Sequence, residues 1–240
     1  MAEHAGSWTD PAARTTFNRR ARRPHCLPMH ENPQRTMAEW VARGARALLA
    51  ACLPTTDATR GPLYRRGAPW RTRLCPIDEP GEPLSITGTV TAAPDCQPIM
   101  NATLDVWQTN ARGLHSNLLG LANPSNPGAF NLRGRMTSDH DGHYHFESVL
   151  PGRYPLFWPL TRPRHIHLTV AHPDCEPLTT QIFFEGNGYN QRDPWWRASL
   201  TIRLERDVGA QSGRVGHRGV FDITLRQKSR QLDELEREVR

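Results

Sequence analysis

Arg162-Pro163-Arg164-His165-Ile166-His167-Leu168-Thr169-Val170 and, a short way on, Thr179-Thr180-Gln181-Ile182-Phe183-Phe184 alternate polar and apolar residues. That is the period of two half-buried β-strands. Successive side chains on a strand point to opposite faces, so His165 and His167 share a face and lie a few ångströms apart. Two imidazoles so placed can chelate one metal ion, or can simply line a polar face of a sheet. Tyr154 upstream and Arg162 beside the pair bring a phenol and a guanidinium to the same neighbourhood, which favours the metal.

Outward from this stretch the chain keeps the same character. Its 240 residues suffice for one sizeable domain with short extensions, and 18 glycines and 21 prolines punctuate it with turns. Few long segments have helical periodicity, so the pattern predicts an all-β fold, a sandwich of mixed and antiparallel strands with long loops. Strands are expected over Leu84–Val90, Ala102–Gln108, Arg133–Ser138, His143–Val149, Ser199–Leu204 and Val220–Leu225. Asp141-Gly142 marks a hairpin turn. The long connection over 110–131 is of a length that usually carries function.

Around this body, residues 1–35 are basic and lack apolar periodicity, which predicts a disordered or loosely attached segment. Residues 36–59 read as a short N-terminal helix, Met37–Ala51, and a linker; 60–226 form the sandwich; 227–240 form a helical tail. Gln231–Val239 has apolar residues at helical spacing and fits a terminal helix or an oligomer contact such as a homodimer.

Composition excludes some classes. The net charge is +6, yet Lys228 is the single lysine among 30 basic residues, a skew that reads as coding bias. Arg19, Arg20, Arg22 and Arg23 crowd the N-terminal segment while the others lie among acids, which disfavours nucleic acid as a partner. No stretch approaches the ~20 apolar residues of a membrane span. The five cysteines, Cys26, Cys52, Cys75, Cys96 and Cys175, show no CxxC spacing and suggest neither a disulfide framework nor a zinc ribbon. Leu48-Leu49-Ala50-Ala51-Cys52 resembles a lipoprotein cleavage site, which would make the chain an exported lipoprotein through Cys52. Arg43 and Arg46 interrupt the apolar run, which favours an amphipathic helix and a cytoplasmic protein.

Several motifs recur in a telling order: Gly61-Pro62-Leu63-Tyr64, Gly88-Thr89-Val90, Val106-Trp107-Gln108-Thr109-Asn110, Gly142-His143-Tyr144-His145-Phe146 and Pro151-Gly152-Arg153-Tyr154-Pro155 precede the His165 stretch. Thr180-Gln181-Ile182-Phe183-Phe184 and Phe221-Asp222-Ile223 follow it. Together, from about Gly61 to Leu225, they resemble the intradiol ring-cleavage dioxygenases, the family of catechol, protocatechuate and hydroxyquinol dioxygenases. The resemblance implies a β-sandwich with one non-haem ferric ion, Fe(3+), held by two tyrosines and two histidines. It implies a small aromatic diol and O2 as substrates and a muconate-type diacid as product. Tyr154 matches the axial tyrosine that substrate displaces, His165 and His167 match the histidines, and Arg162 and Gln181 match the pair that contacts the catecholate. Ferric iron is hard and suits phenolate oxygen, with imidazole completing the set.

One position departs from the pattern. The family's second tyrosine falls eight residues after the tryptophan, and here that slot holds His115. A neutral imidazole in place of a phenolate leaves the centre one charge more positive, which should weaken its hold on ferric iron and raise its reduction potential. His115 is a competent metal ligand, so metal binding survives while turnover becomes the question. The alternative is a sandwich that binds a metal or a phenolic ligand without turnover. Tyr64 and Tyr189 are further phenols in reach from loops, Tyr144 reads as structural, and His140, His143 and His145 are expected to face solvent. A cupin also carries HxH, but it needs a glutamate four or five residues after the second histidine, where Ala171 and His172 stand.

Overall fold

A computed structural model describes residues 52–116, 127–157, 159–208 and 214–228. The expected N-terminal segment, the Met37–Ala51 helix, part of the 110–131 loop and the terminal helix lie outside those residues.

The regular structure of the described residues is mostly β. In order it forms β1 (Pro83–Ala93), β2 (Gln97–Pro98), β3 (Thr103–Gln108), β4 (Arg133–Thr137), β5 (His143–Val149), β6 (Tyr154–Phe157) and β7 (Leu160–Arg162). It continues with β8 (His165–Ala171), β9 (Leu178–Phe184), β10 (Thr201–Ile202), β11 (Glu205–Asp207), β12 (Gly216–Val220) and β13 (Ile223–Arg226). One sheet is built on β1, in the order β11-β12-β1-β13, with β2 and β5 also pairing with β1. The second runs β10-β9-β8-β3-β4, and β6 with β7 forms a two-stranded ribbon. Leu84, Ile86 and Val90 of β1 and Phe146 of β5 share one apolar core with Ile166, Leu168 and Val170 of β8 and Ile182 of β9. Burying each such side chain stabilises the fold by about 1.5–3 kcal/mol.

β8 explains the alternation seen in the sequence. Ile166, Leu168 and Val170 enter the core, while His165 and His167 are buried on the opposite face. The strand therefore has two covered faces rather than one covered and one wet.

Several boundaries differ from the sequence expectation, and three of the differences break or shorten a strand. Arg162 and His165 lie on separate strands, because Pro163 cannot donate to a ladder and its carbonyl turns to His165 Nδ1 at 2.7 Å. The strand expected over Val220–Leu225 is two, β12 along Leu84–Thr87 and β13 along Val90–Ala93, both parallel to β1. Between them Phe221 N–H donates to the Thr87 carbonyl and Thr89 N–H to Asp222 Oδ1, which closes the gap where the ladders break. Gly88 allows that approach, since a Cβ there would sit 2.0 Å from the Phe221 carbonyl oxygen. The strand expected over Ser199–Leu204 shrinks to β10, preceded by a 3-10 turn over Ala198–Leu200.

The cysteines also differ. Cys52 and Cys96 form a disulfide across 44 residues of sequence, a pairing their spacing does not announce. The sulfur that the sequence offers as a lipid acceptor is thus half of a crosslink here. Cys75 and Cys175 are buried free thiols, as small core residues should be. From Cys52 the chain runs as a strap over the sandwich. Thr55 N–H donates to the Thr224 carbonyl, Ala58 N–H to the Thr179 carbonyl, and Thr180 Oγ1 donates to the Thr56 carbonyl.

Candidate metal centre

The β8–β9 register places Gln181 opposite His167 and Phe183 opposite His165, and the β3–β8 register places Trp107 opposite His167 on its other side. Gln181, His165, His167 and Trp107 therefore share a face outside the apolar core, while Phe183 belongs to that core. Trp107 lies flat on the His167 ring, with centroids 4.9 Å apart and planes 6° from parallel. Tyr154 and Arg162 are cross-strand partners in the β6–β7 ribbon, which sets a phenol and a guanidinium against the histidine face.

Donors converge there. His165 Nε2 and His167 Nε2 are 3.1 Å apart, and Tyr154 Oη lies 3.5 Å from His165 Nε2. A carbonyl only accepts, so His165 Nδ1 carries the hydrogen donated to Pro163, and its Nε2 offers a lone pair. Two imidazoles bound at right angles to one metal at ~2.1 Å would hold their nitrogens ~3.0 Å apart, close to the spacing observed. The residues present fit a metal ion. Among the described residues no three His, Cys, Asp or Glu side chains form a metal-holding group; the near donors are two imidazoles and a phenol.

His115 stands beside that group rather than within it. Its ring meets Tyr154 edge-on at 5.6 Å, it is buried, and neither ring nitrogen has a hydrogen-bond partner. An orphaned buried imidazole is what a ligand looks like when its partner is an ion. Burial, with Arg133 and then Arg162 adding repulsion, lowers its pKa to about 3, so the ring is neutral and its lone pair free. Burial likewise holds His165 and His167 well below the ordinary histidine range, with Arg162 adding to the effect on both. Burial raises the Tyr154 phenol, and the Arg162 guanidinium beside it pulls the other way.

Arg162 is held from several sides. Its Nη2 donates to Gln181 Oε1 at 2.7 Å and its Nε to Asp193 Oδ2 at 2.6 Å. The Trp195 ring lies 4.6 Å from its Cζ. Gln181 Nε2 donates to the Thr59 carbonyl at 2.7 Å, which fixes which way the amide points. The strap also brings Gly61 against the His167 ring, where a Cβ would touch Cε1 at 3.5 Å.

Sequence reasoning missed Asp193, Trp195, the Thr59 carbonyl and the stacking role of Trp107. Asp193 was findable, because a buried arginine demands a counter-charge and the loop after β9 offers few acids. Tyr64 and Tyr189 do not join the cluster. Tyr64 Oη donates to Asp105 at 2.9 Å, and burial and then that carboxylate raise its pKa. Tyr189 lies under Arg153, 4.5 Å from its Cζ. His140, His143 and His145 are exposed, as expected.

Known proteins align on this same body. A dioxygenase family model matches residues 59–227. The chain belongs to the intradiol ring-cleavage dioxygenase family. Chlorocatechol 1,2-dioxygenase of Rhodococcus opacus is 33% identical over 161 residues, 58% of this chain and 60% of that protein. Catechol 1,2-dioxygenase 2 of Acinetobacter lwoffii is 36% identical over 151 residues, 56% of this chain and 53% of its own length. The chain thus spans about half the length of the curated intradiol relatives it matches. Among solved structures, the dioxygenase domain of a dioxygenase and carbohydrate-binding fusion from Streptomyces sp. SirexAA-E superposes with a TM-score of 0.61 at 30% identity, covering 73% of this chain and 100% of that one. Catechol 1,2-dioxygenase from Pseudomonas arvilla C-1 superposes with a TM-score of 0.66 at 26% identity, covering 80% and 68%. The open-sheet sandwich is thus the intradiol dioxygenase fold.

Proposed function

We propose that this chain is a non-haem iron dioxygenase that opens a catechol-type ring between its two hydroxyl-bearing carbons, both atoms of O2 entering a muconate-type diacid. The observation that carries this is the convergence of His165 Nε2, His167 Nε2 and Tyr154 Oη on the face where Arg162 and Gln181 are paired. Tyr154, His165, His167 and His115 would hold the iron. When bound, iron supplies a Lewis-acid template for the diol oxygens and a path for electron density out of the ring.

The protein's own groups supply the rest. A Tyr154 side chain free of metal is a neutral phenol, because burial raises its pKa; its Oη therefore takes up one of the protons the diol gives up. Arg162 brings a buried positive charge to the diol edge, where it stabilises negative charge on a substrate oxygen or ring carbon far more than it would in water. Gln181, its amide fixed between Arg162 and Thr59, orients the same edge. Trp107 excludes water behind His167 and fixes its ring plane. With His115 a neutral imidazole where relatives of this pattern place a phenolate, a bound iron centre would be one charge more positive and harder to keep ferric.

Metal analysis, an optical spectrum and O2 uptake with catechol, on wild type and His115→Tyr, test this reading. Bound iron, a visible phenolate band and O2 consumption are expected, with a shifted band and faster turnover in the variant. Iron without O2 uptake would make the protein a non-catalytic binder. A variant that alters neither spectrum nor uptake removes His115 from the ligand set.

A further inference from the structure

The direction of Arg162 is set from outside the strand ladders. Besides the 2.6 Å contact to Asp193 Oδ2, its Nη2 lies 3.5 Å from Asp193 Oδ1, so one carboxylate engages two donors along one edge of the guanidinium. The side chains are 3% and 0% exposed. Asp193 is anchored in turn. Its Oδ1 accepts the Trp195 N–H at 2.9 Å, and its own N–H closes a 3-10 turn on the Asn190 carbonyl at 3.0 Å. Asn190 Nδ2 then donates to the Phe184 carbonyl at 2.9 Å, at the end of β9, the strand that carries Gln181. Both partners of the guanidinium are therefore referred to the same strand.

Stability alone does not account for such a pair, since a buried ion pair can usually be replaced by apolar side chains of similar volume at no loss. What two-point engagement of a planar guanidinium does supply is a fixed plane and a fixed direction for the remaining donors.

Resting on the dioxygenase reading above, we propose that Asp193 is the positioning residue of this site, aiming the Arg162 guanidinium at the bound diol. Asp193 touches neither the metal donors nor the substrate edge; it acts through Arg162.

The test is a cycle of Asp193→Asn, Arg162→Met and the double variant. Asn keeps the shape of Asp193, removes the charge and sets an amide donor against an Arg162 or Trp195 donor. Asp193→Asn should lower kcat for catechol on the order of tenfold to a hundredfold, while KM and the affinity in an anaerobic catechol titration change by less than about threefold. In the Arg162→Met background the same substitution should leave kcat unchanged and raise the Tm of the iron-free protein, because it removes a buried carboxylate that has lost its partner. Unchanged kcat in Asp193→Asn, or an equal loss with and without Arg162, overturns the proposal. If Asp193→Asn does not fold, the Tm comparison of Arg162→Met with the double variant decides, and no recovery in the double refutes it. Absence of O2 uptake in wild type would instead sink the dioxygenase reading, and the iron-free Tm cycle would still tell whether Asp193 works through Arg162.

Discussion

Replacing His115 by phenylalanine should have opposite effects with and without metal. In the iron-free protein both His115 ring nitrogens are buried without a partner, and an unsatisfied buried polar group costs about 1–3 kcal/mol. A phenyl ring of nearly the same outline removes that cost. At ~2–4 °C per kcal/mol for a domain of this size, the chelator-treated variant should melt about 2–12 °C above wild type. With iron the order should reverse in part. Ligand binding stabilises by about 4 kcal/mol at a thousandfold excess over Kd, and loss of one of four ligands should cut affinity by at least about tenfold, removing some 1.4 kcal/mol. The pH dependence follows from the same ring. The folded His115 pKa is lowered from 6.5 to about 3, so between those values the unfolded chain binds a proton that the folded chain refuses. Stability of the iron-free protein therefore falls as pH falls below 6.5, by about 1.4 kcal/mol per unit from this residue, and His115→Phe should flatten the slope by that amount. Thermal melts across pH, with chelator and with iron, measure all three effects. A variant that melts below wild type when stripped of metal, or gains as much from iron as wild type does, refutes the reasoning.

Other outcomes can be checked alongside. Tyr154→Phe should abolish the visible phenolate band while leaving part of the iron bound, as read by absorption and metal analysis. Tyr64→Phe should leave that band and the iron content unchanged, because the Tyr64 phenol is committed to Asp105. Gly88→Ala forces a methyl to within 2.0 Å of the Phe221 carbonyl oxygen and should cost about 1–3 kcal/mol in urea unfolding. Replacing Cys52 and Cys96 together by serine frees the 44-residue crosslink and should lower unfolding free energy by about 3–4 kcal/mol. Wild type in reductant should approach the same melting temperature.

The strands with a clean period were legible: His143–Val149 emerges with its expected limits, and Ile166, Leu168 and Val170 alternate against His165 and His167 as the pattern requires. What escaped was set by contacts distant in sequence. No local signal splits β12 from β13, because the break at Phe221-Asp222 exists to meet Thr87 and Thr89 of β1. The Cys52–Cys96 bond is invisible in cysteine spacing, since what joins them is the path of the strap over the sheet. Asp193 carries no motif and gains its meaning only from a guanidinium 31 residues away. Spacing set Tyr154, Arg162, His165 and His167 in one neighbourhood, and the family resemblance added Gln181 and singled out His115, whose place against Tyr154 rather than among the near donors needed three dimensions.

The two covered faces of β8 tie folding and chemistry to one alignment. A slip of a single residue against β3 and β9 would turn His165 and His167 into the apolar core and send Ile166 and Leu168 out among Tyr154, Arg162 and Gln181. No half-working version of that strand exists between the two alignments. Iron bound as proposed would therefore report on the sandwich itself: a molecule that has paired its strands wrongly can be compact and still has no place to put an ion.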